Sequence, residues 1–181
     1  SDMATEYGFC SWGGWIWEPL EFARWTPSDE DRIAYPWTNY LKGISKMTLT
    51  IDRITNVNMN KDLLNQYIAE LRCARGFLAF LLYDLYGPII VADLETLKNA
   101  EDEIILPRLS EEETHNFIVT ELTEAAKVLP YSYDKSSSDY GRFTKGLCHM
   151  VLLKFYMQTK QWDKAITEAV SYTHLRAHET K

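Results

Sequence analysis

Trp12, Trp15 and Trp17, in the stretch SWGGWIWEPLEFARW, set three flat indole faces among glycines, and Glu18 follows the last of them directly. An indole face suits the apolar C–H side of a sugar ring, while a nearby polar group satisfies the hydroxyls, the usual recipe for a concave small-molecule site. Trp12, Trp15 and Trp17 are therefore candidate stacking residues, with Glu18 as their hydrogen-bonding neighbour. The competing reading is that the indoles plug a gap beside the first helix. Trp25 and Trp37, the next two in the chain, are read as core.

Other chemistry finds less support. Glycoside hydrolysis needs two carboxylates at a defined separation, and Asp29, Glu30 and Asp31 form a run that reads as a solvated turn. No Ser-His-Asp arrangement is suggested by position, and no glycine-rich phosphate loop precedes a helix. His115 and His149 fall on helical patterns with nothing adjacent in sequence to mark them as acid, base or ligand. His174 and His178 stand one helical turn apart, but HLRAH lacks the glutamate of the zinc-protease motif. Neither a metal nor any other cofactor is expected. Of three cysteines, Cys10, Cys73 and Cys148, the last two lie in apolar helical patterns and read as small buried thiols.

The 181 residues suffice for one sizeable core, and 46% hydrophobic with 25% charged residues is ordinary for a globular chain. A net charge of -7 argues against nucleic acid, because phosphate contacts need clustered Lys and Arg. Ser1 to Thr5 lack the basic and apolar segments of an export signal, so the chain is either cytoplasmic or missing its beginning.

Helical spacing organises the rest. Behind Pro36, apolar positions from Trp37 to Ile54 predict a helix over 36–55. A second runs over about 62–86, its stripe carried by Tyr67, Leu71, Ala74, Leu78, Leu81 and Leu85, and stops at Gly87-Pro88. Its uncharged run is too short to span a membrane. Ile89, Ile90 and Val91 then either pair as a strand or pack beneath the helix end. Ser110 with Glu113 predicts a capping box opening a third helix that Pro130 ends, with Phe117, Ile118, Leu122, Ala125 and Leu129 inward. YSYDKSSSDYGR reads as a polar surface loop. Helices over 144–158 and 162–170 follow, in which Leu152, Tyr156 and Ala165 have the spacing of a tetratricopeptide-type hairpin. The class is all-α. SYTHLRAHETK has no continuing apolar periodicity and is discounted as a non-native-looking tail.

Three segments together resemble the SusD/RagB family of nutrient-binding outer-membrane lipoproteins. AELRCARGFLAFLLYDLYGPIIV carries Glu70, Arg72, Arg75, Tyr86 and Gly87 of the family's Ala-Glu-x-Arg helix, although Pro88 follows Gly87 directly. PRLSEEETHNFIVTELTEAAKVLP and GRFTKGLCHMVLLKFYMQTKQWDKAI supply the capped helix and the hairpin, in the family's order. The resemblance implies an amino-proximal fragment without the lipid-bearing cysteine or the carboxy-terminal half. It divides into an aromatic-rich loop region, 1–35, a partial SusD-like helical domain, 36–170, and the tail, 171–181. It further implies non-catalytic capture of an oligosaccharide or related nutrient at the cell surface, for a SusC-like TonB-dependent transporter of the outer membrane. In the family, loops near the position of Trp12, Trp15 and Trp17 present aromatic residues to glycans. The alternative is a helical-repeat adaptor whose groove binds a peptide or protein, and a hydrolase comes third. Arg72 and Arg75 are read as structural, fixing helix register through carboxylates or helix ends.

Overall fold

The computed structural model describes Thr26, residues 30–99 and residues 104–179, with residues 30–33 and 174–179 described by their backbone alone. It divides into two compact units, Ser1–Thr38 and Asn39–Lys181. Of the first unit, the described part is Thr26 and the opening of α1 (Glu30–Thr55), where Tyr35 is exposed and Trp37 half-buried. The helix starts six residues before the predicted Pro36, so Glu30 and Asp31 open a helix rather than form a turn. Acidic residues suit the positive end of a helix dipole. Pro36 lies within the helix, at the cost of one i→i−4 hydrogen bond.

The second unit is built on α2 (Lys61–Tyr86). Asn60 caps its start by accepting from the amides of Asp62 and Leu63, at 2.8 and 3.1 Å. Gly87 ends it at φ 70°, donating to the Tyr83 carbonyl at 2.9 Å. A side chain there would be strained by φ alone. The deepest face of α2 takes only Ala74 from the predicted stripe. Ala69, Cys73, Ala74, Gly76, Ala79, Phe80 and Leu82 are buried, whereas Tyr67, Leu71, Leu78 and Leu81 are half-buried and Leu85 is exposed. Small residues win the inner face because the next long helix comes so close: a Cβ on Gly76 would sit 2.9 Å from Leu122 Cγ.

Beyond the helix end, Ile89 is fully buried, its N–H donating to Thr114 Oγ1 and its carbonyl accepting from Leu109 at 2.8 Å. The Ile89–Val91 segment therefore packs beneath the helix; there is no strand among the described residues. A short helix that periodicity did not announce, α3 (Leu94–Lys98), is capped by Asp93 through the Thr96 amide at 2.7 Å. α4 (Glu111–Val128) opens with the predicted capping box: Ser110 Oγ accepts from Glu113 N at 3.1 Å, and Glu113 Oε2 accepts from Ser110 N at 2.8 Å. Ile118, Leu122, Ala125 and Leu129 are buried, and Phe117 is half-buried beneath the Arg75 guanidinium.

α5 (Lys145–Gln158) begins at the Thr144 cap, and α6 (Trp162–Glu179) returns along it. Leu152, Tyr156 and Ala165 are all buried, the expected hairpin contact. The backbone of α6 continues nine residues past Val170, since no Gly or Pro interrupts it and Leu, Arg, Ala and Glu are good helix formers. α2 packs on α4, α4 on α5 and α5 on α6, and α2 also meets α5. Leu82, Ile89, Ile118, Leu122, Leu129, Leu152 and Phe155 fill the shared core, each contributing about 1.5–3 kcal/mol by burial. The unit is all-α, built from tetratricopeptide-like hairpins.

Candidate functional site

Trp12, Trp15, Trp17 and Glu18, the residues the sequence nominates, lie outside the described residues, as does Trp25. The side chains of His174 and His178 do too. Among the described residues no group of His, Cys, Asp and Glu is arranged to hold a metal ion.

What the described part offers is a recess of about 690 Å³ in the loop joining α4 to α5. The loop is closed at its base, where Lys145 N donates to the Pro130 carbonyl at 2.8 Å. Serial turns then fold it: Asp134 Oδ1 accepts from Ser136 N at 2.7 Å, Tyr140 N donates to Ser137 O at 3.1 Å, and Gly141 takes φ 98°. The Ser136 hydroxyl and amide hold the Asp134 carboxyl below the usual carboxylate range. These turns aim Tyr131, Tyr133 and Tyr140 into one concavity with Asp134, Lys135 and Arg142. Tyr131 and Tyr140 are 51% and 60% exposed, so their rings are open to a ligand. Lys145 Nζ lies 4.6 Å from the Tyr131 ring centroid and fixes that ring from one side.

The recess is anchored to α2. Arg142 donates through Nε and Nη2 to the two oxygens of Glu70, both at 3.0 Å, and through Nη1 to Asp139 at 2.8 Å. Those carboxylates hold its guanidinium above its already high ordinary value. Gln66, one turn before Glu70, donates to Tyr133 Oη at 2.9 Å. Burial pushes the Tyr133 phenol up, and the nearby Glu70 charge adds to it. Aromatic faces, phenol hydroxyls, one carboxylate and one ammonium in a shallow cup can stack on and hydrogen-bond to a polyhydroxylated ring. The sequence offers a signal in three tyrosines among turn residues, but turn chemistry alone reads the segment as polar surface.

The structure also supplies the carboxylate that Arg72 and Arg75 require. Glu121 of α4, 5% exposed, accepts from Arg72 Nη2 at 3.1 Å and Arg75 Nε at 2.7 Å, while Arg75 Nη1 reaches Thr48 Oγ1 of α1 at 2.9 Å. This cluster ties three helices, as expected of a structural role. His149 Nδ1 similarly lies 2.6 Å from Glu168 Oε2, joining α5 to α6.

A scaffold of helical hairpins with an aromatic cup in one loop is thus defined. The sequence profile of the SusD-like family described as starch-binding and associating with the outer membrane matches residues 2–157. The chain belongs to the SusD-like family. No curated protein matches it. It is similar in fold to a SusD-like protein from Bacteroides fragilis, at 24% identity and TM-score 0.76 over 89% of this chain and 30% of that one. A laminarin-binding SusD-like protein matches at 20% identity and TM-score 0.73, over 88% of this chain and 33% of that one. A SusD-like carbohydrate-binding protein, also from Bacteroides fragilis, matches at 22% identity and TM-score 0.70, over 79% of this chain and 27% of that one. The chain spans about a third or less of the length of these solved relatives.

Proposed function

We propose that this chain is part of a non-catalytic protein that captures an oligosaccharide at the cell surface and delivers it to a SusC-like TonB-dependent transporter of the outer membrane. The observation that carries the reading is the family match over residues 2–157, whose description is starch-binding and outer-membrane association. The laminarin-binding relative supports a glycan as ligand, and so does the relative crystallised with a xylogluco-oligosaccharide. Trp12, Trp15 and Trp17 stack on sugar rings and Glu18 bonds to hydroxyls, and the tyrosine cup is a second contact of the same chemistry. Among the described residues no helix is long and apolar enough to cross a membrane; the proposal holds the complete protein at the surface through a lipid anchor.

The test is calorimetric titration of the chain with laminarin, xyloglucan and starch oligosaccharides. Saturable binding to at least one, weakened about 10-fold by Trp15→Ala or Tyr140→Ala with helicity unchanged, is expected. Binding lost in the tryptophan variants alone would confine the site to residues 12–18. Release of new reducing ends would overturn the non-catalytic reading, and retention of a peptide but no glycan would favour an adaptor. Co-purification of the complete protein with its transporter tests delivery.

A further inference from the structure

Two thiols that the sequence leaves unconnected meet in the core. Cys73 on α2 and Cys148 on α5 are separated by 75 positions, yet their sulfurs lie 3.4 Å apart, and both side chains are fully buried. A disulfide requires an S–S separation of about 2.05 Å, a little over an ångström less than the present gap. α2 and α5 each pack more extensively on α4 than on one another, and the sulfurs sit where the two helices meet directly. A link there would close a loop containing α4 and the whole tyrosine cup.

We propose that Cys73 and Cys148 are a disulfide pair, joined while the chain folds in a compartment that supplies a small-molecule or protein disulfide as oxidant. The thiolate of one cysteine attacks the donor disulfide, forming a mixed disulfide and expelling one donor thiolate. The second cysteine, giving up its proton, attacks the mixed disulfide and expels the other. Two protein thiols are oxidised to one disulfide, one donor disulfide is reduced to two thiols, and the two cysteine protons end on the donor sulfurs. Timing follows from burial. In the folded chain the sulfur hydrogen bond to Cys148 and desolvation push the Cys73 thiol well above its ordinary range, and a mixed disulfide has no room in the core. Oxidation therefore precedes closure of the helices. The inference is independent of what the recess binds.

The test uses the full chain with Cys10→Ser, so that only this pair remains. Reduced, denatured protein is refolded in a mixture of reduced and oxidised glutathione, quenched with acid, denatured and alkylated. The expected product is two mass units lighter than the dithiol, takes up no alkylating agent, and yields one peptide linking Cys73 to Cys148. Its melting temperature exceeds that of the reduced form by about 5–15 °C. Oxidised glutathione added to the already folded dithiol reacts only as fast as the chain unfolds. Two alkylated thiols, or glutathione adducts alone, in a chain with full helical circular dichroism would overturn the proposal. Should refolding fail, the same peptide map on protein exported to a bacterial periplasm decides, and absence of the linked peptide there overturns it.

Discussion

α2 carries one charged tie on each flank, and the two differ in what surrounds the carboxylate. On one flank Arg72 and Arg75 converge on Glu121, which is 5% exposed and lies against the α2–α4 contact. On the other, Glu70, with a side chain 16% exposed, receives Arg142 from the rim of the tyrosine cup. Both are carboxylates shared by guanidinium donors, but Glu121 cannot regain water without separating helices, whereas Glu70 can when one loop lifts. Removing one partner of a buried ionic cluster leaves charge stranded in a poor solvent, and that stranding rather than the bond itself sets the damage. Among the described residues Arg72 Nε, already buried, has no hydrogen-bond partner, so this cluster has little slack. The first tie should govern whether the chain folds, and the second how the cup is shaped.

The largest effect is therefore expected at Glu121. Glu121→Ala should destabilise the chain by about 3 kcal/mol or more, read as a shift in the urea midpoint. Adding Arg75→Met and Arg72→Met should recover much of it, because apolar groups of similar size need no counter-charge. A triple variant no better than Glu121→Ala would mean that packing at Gly76 and Leu122, not charge, dominates the flank. Next comes Glu70→Gln, which keeps the shape and removes the charge facing Arg142. It should cost about 1–2 kcal/mol, with glycan affinity falling more than stability. An equal fall at both flanks would erase the distinction drawn between them. The Tyr133 phenol, bonded to Gln66 beside Glu70, extends the comparison to alkaline pH. Its folded value is raised above 10 by burial and then by the Glu70 charge, so the folded state holds the proton longer. Its contribution is complete below pH 10 and fades as pH rises through the raised value. Tyr133→Phe should flatten the alkaline loss of stability, as melting temperature against pH between 9 and 11 would report.

How far the sequence foretold these ties depends on how far apart their partners lie. Helices, caps and stops are local: Ser110 with Glu113, Gly87 before Pro88, and Leu152, Tyr156 and Ala165 each declare themselves within a few residues, and each stands where periodicity puts it. Arg72 and Arg75 could be read as needing carboxylates, but Glu121 is 49 and 46 positions away. A trace was present: Thr114, Ile118, Glu121 and Ala125 share one helical stripe, so a glutamate stands on the core face. The inner face of α2 misled because hydrophobicity ranks Leu above Ala and Gly, while close helix approach ranks them the other way. The cup was less legible still. Turn residues announce that a chain bends, but whether Tyr131, Tyr133 and Tyr140 line one hollow depends on Arg142 reaching Glu70 across 72 positions.

A third carboxylate, wholly at the surface, sharpens the comparison from its weak end. Glu113 closes the capping box with Ser110, whose backbone amide first and hydroxyl second hold its carboxyl below 4.5. A depressed acid contributes stability above its unfolded value and loses it as pH falls through the folded one. Ser110→Ala should lower the melting temperature by about 2–4 °C near neutrality, a typical cap loss in a chain of this size. Below pH 4.5 the gap between variant and parent should narrow, because protonated Glu113 no longer gains from the hydroxyl, yet it should not vanish, since Ser110 Oγ still accepts from the Glu113 amide. A gap unchanged down to pH 3 would assign the whole cap to that one amide bond. A gap as large as the Glu70→Gln effect would mean that exposure does not rank these three carboxylates, and the contrast between the two flanks of α2 would need another cause.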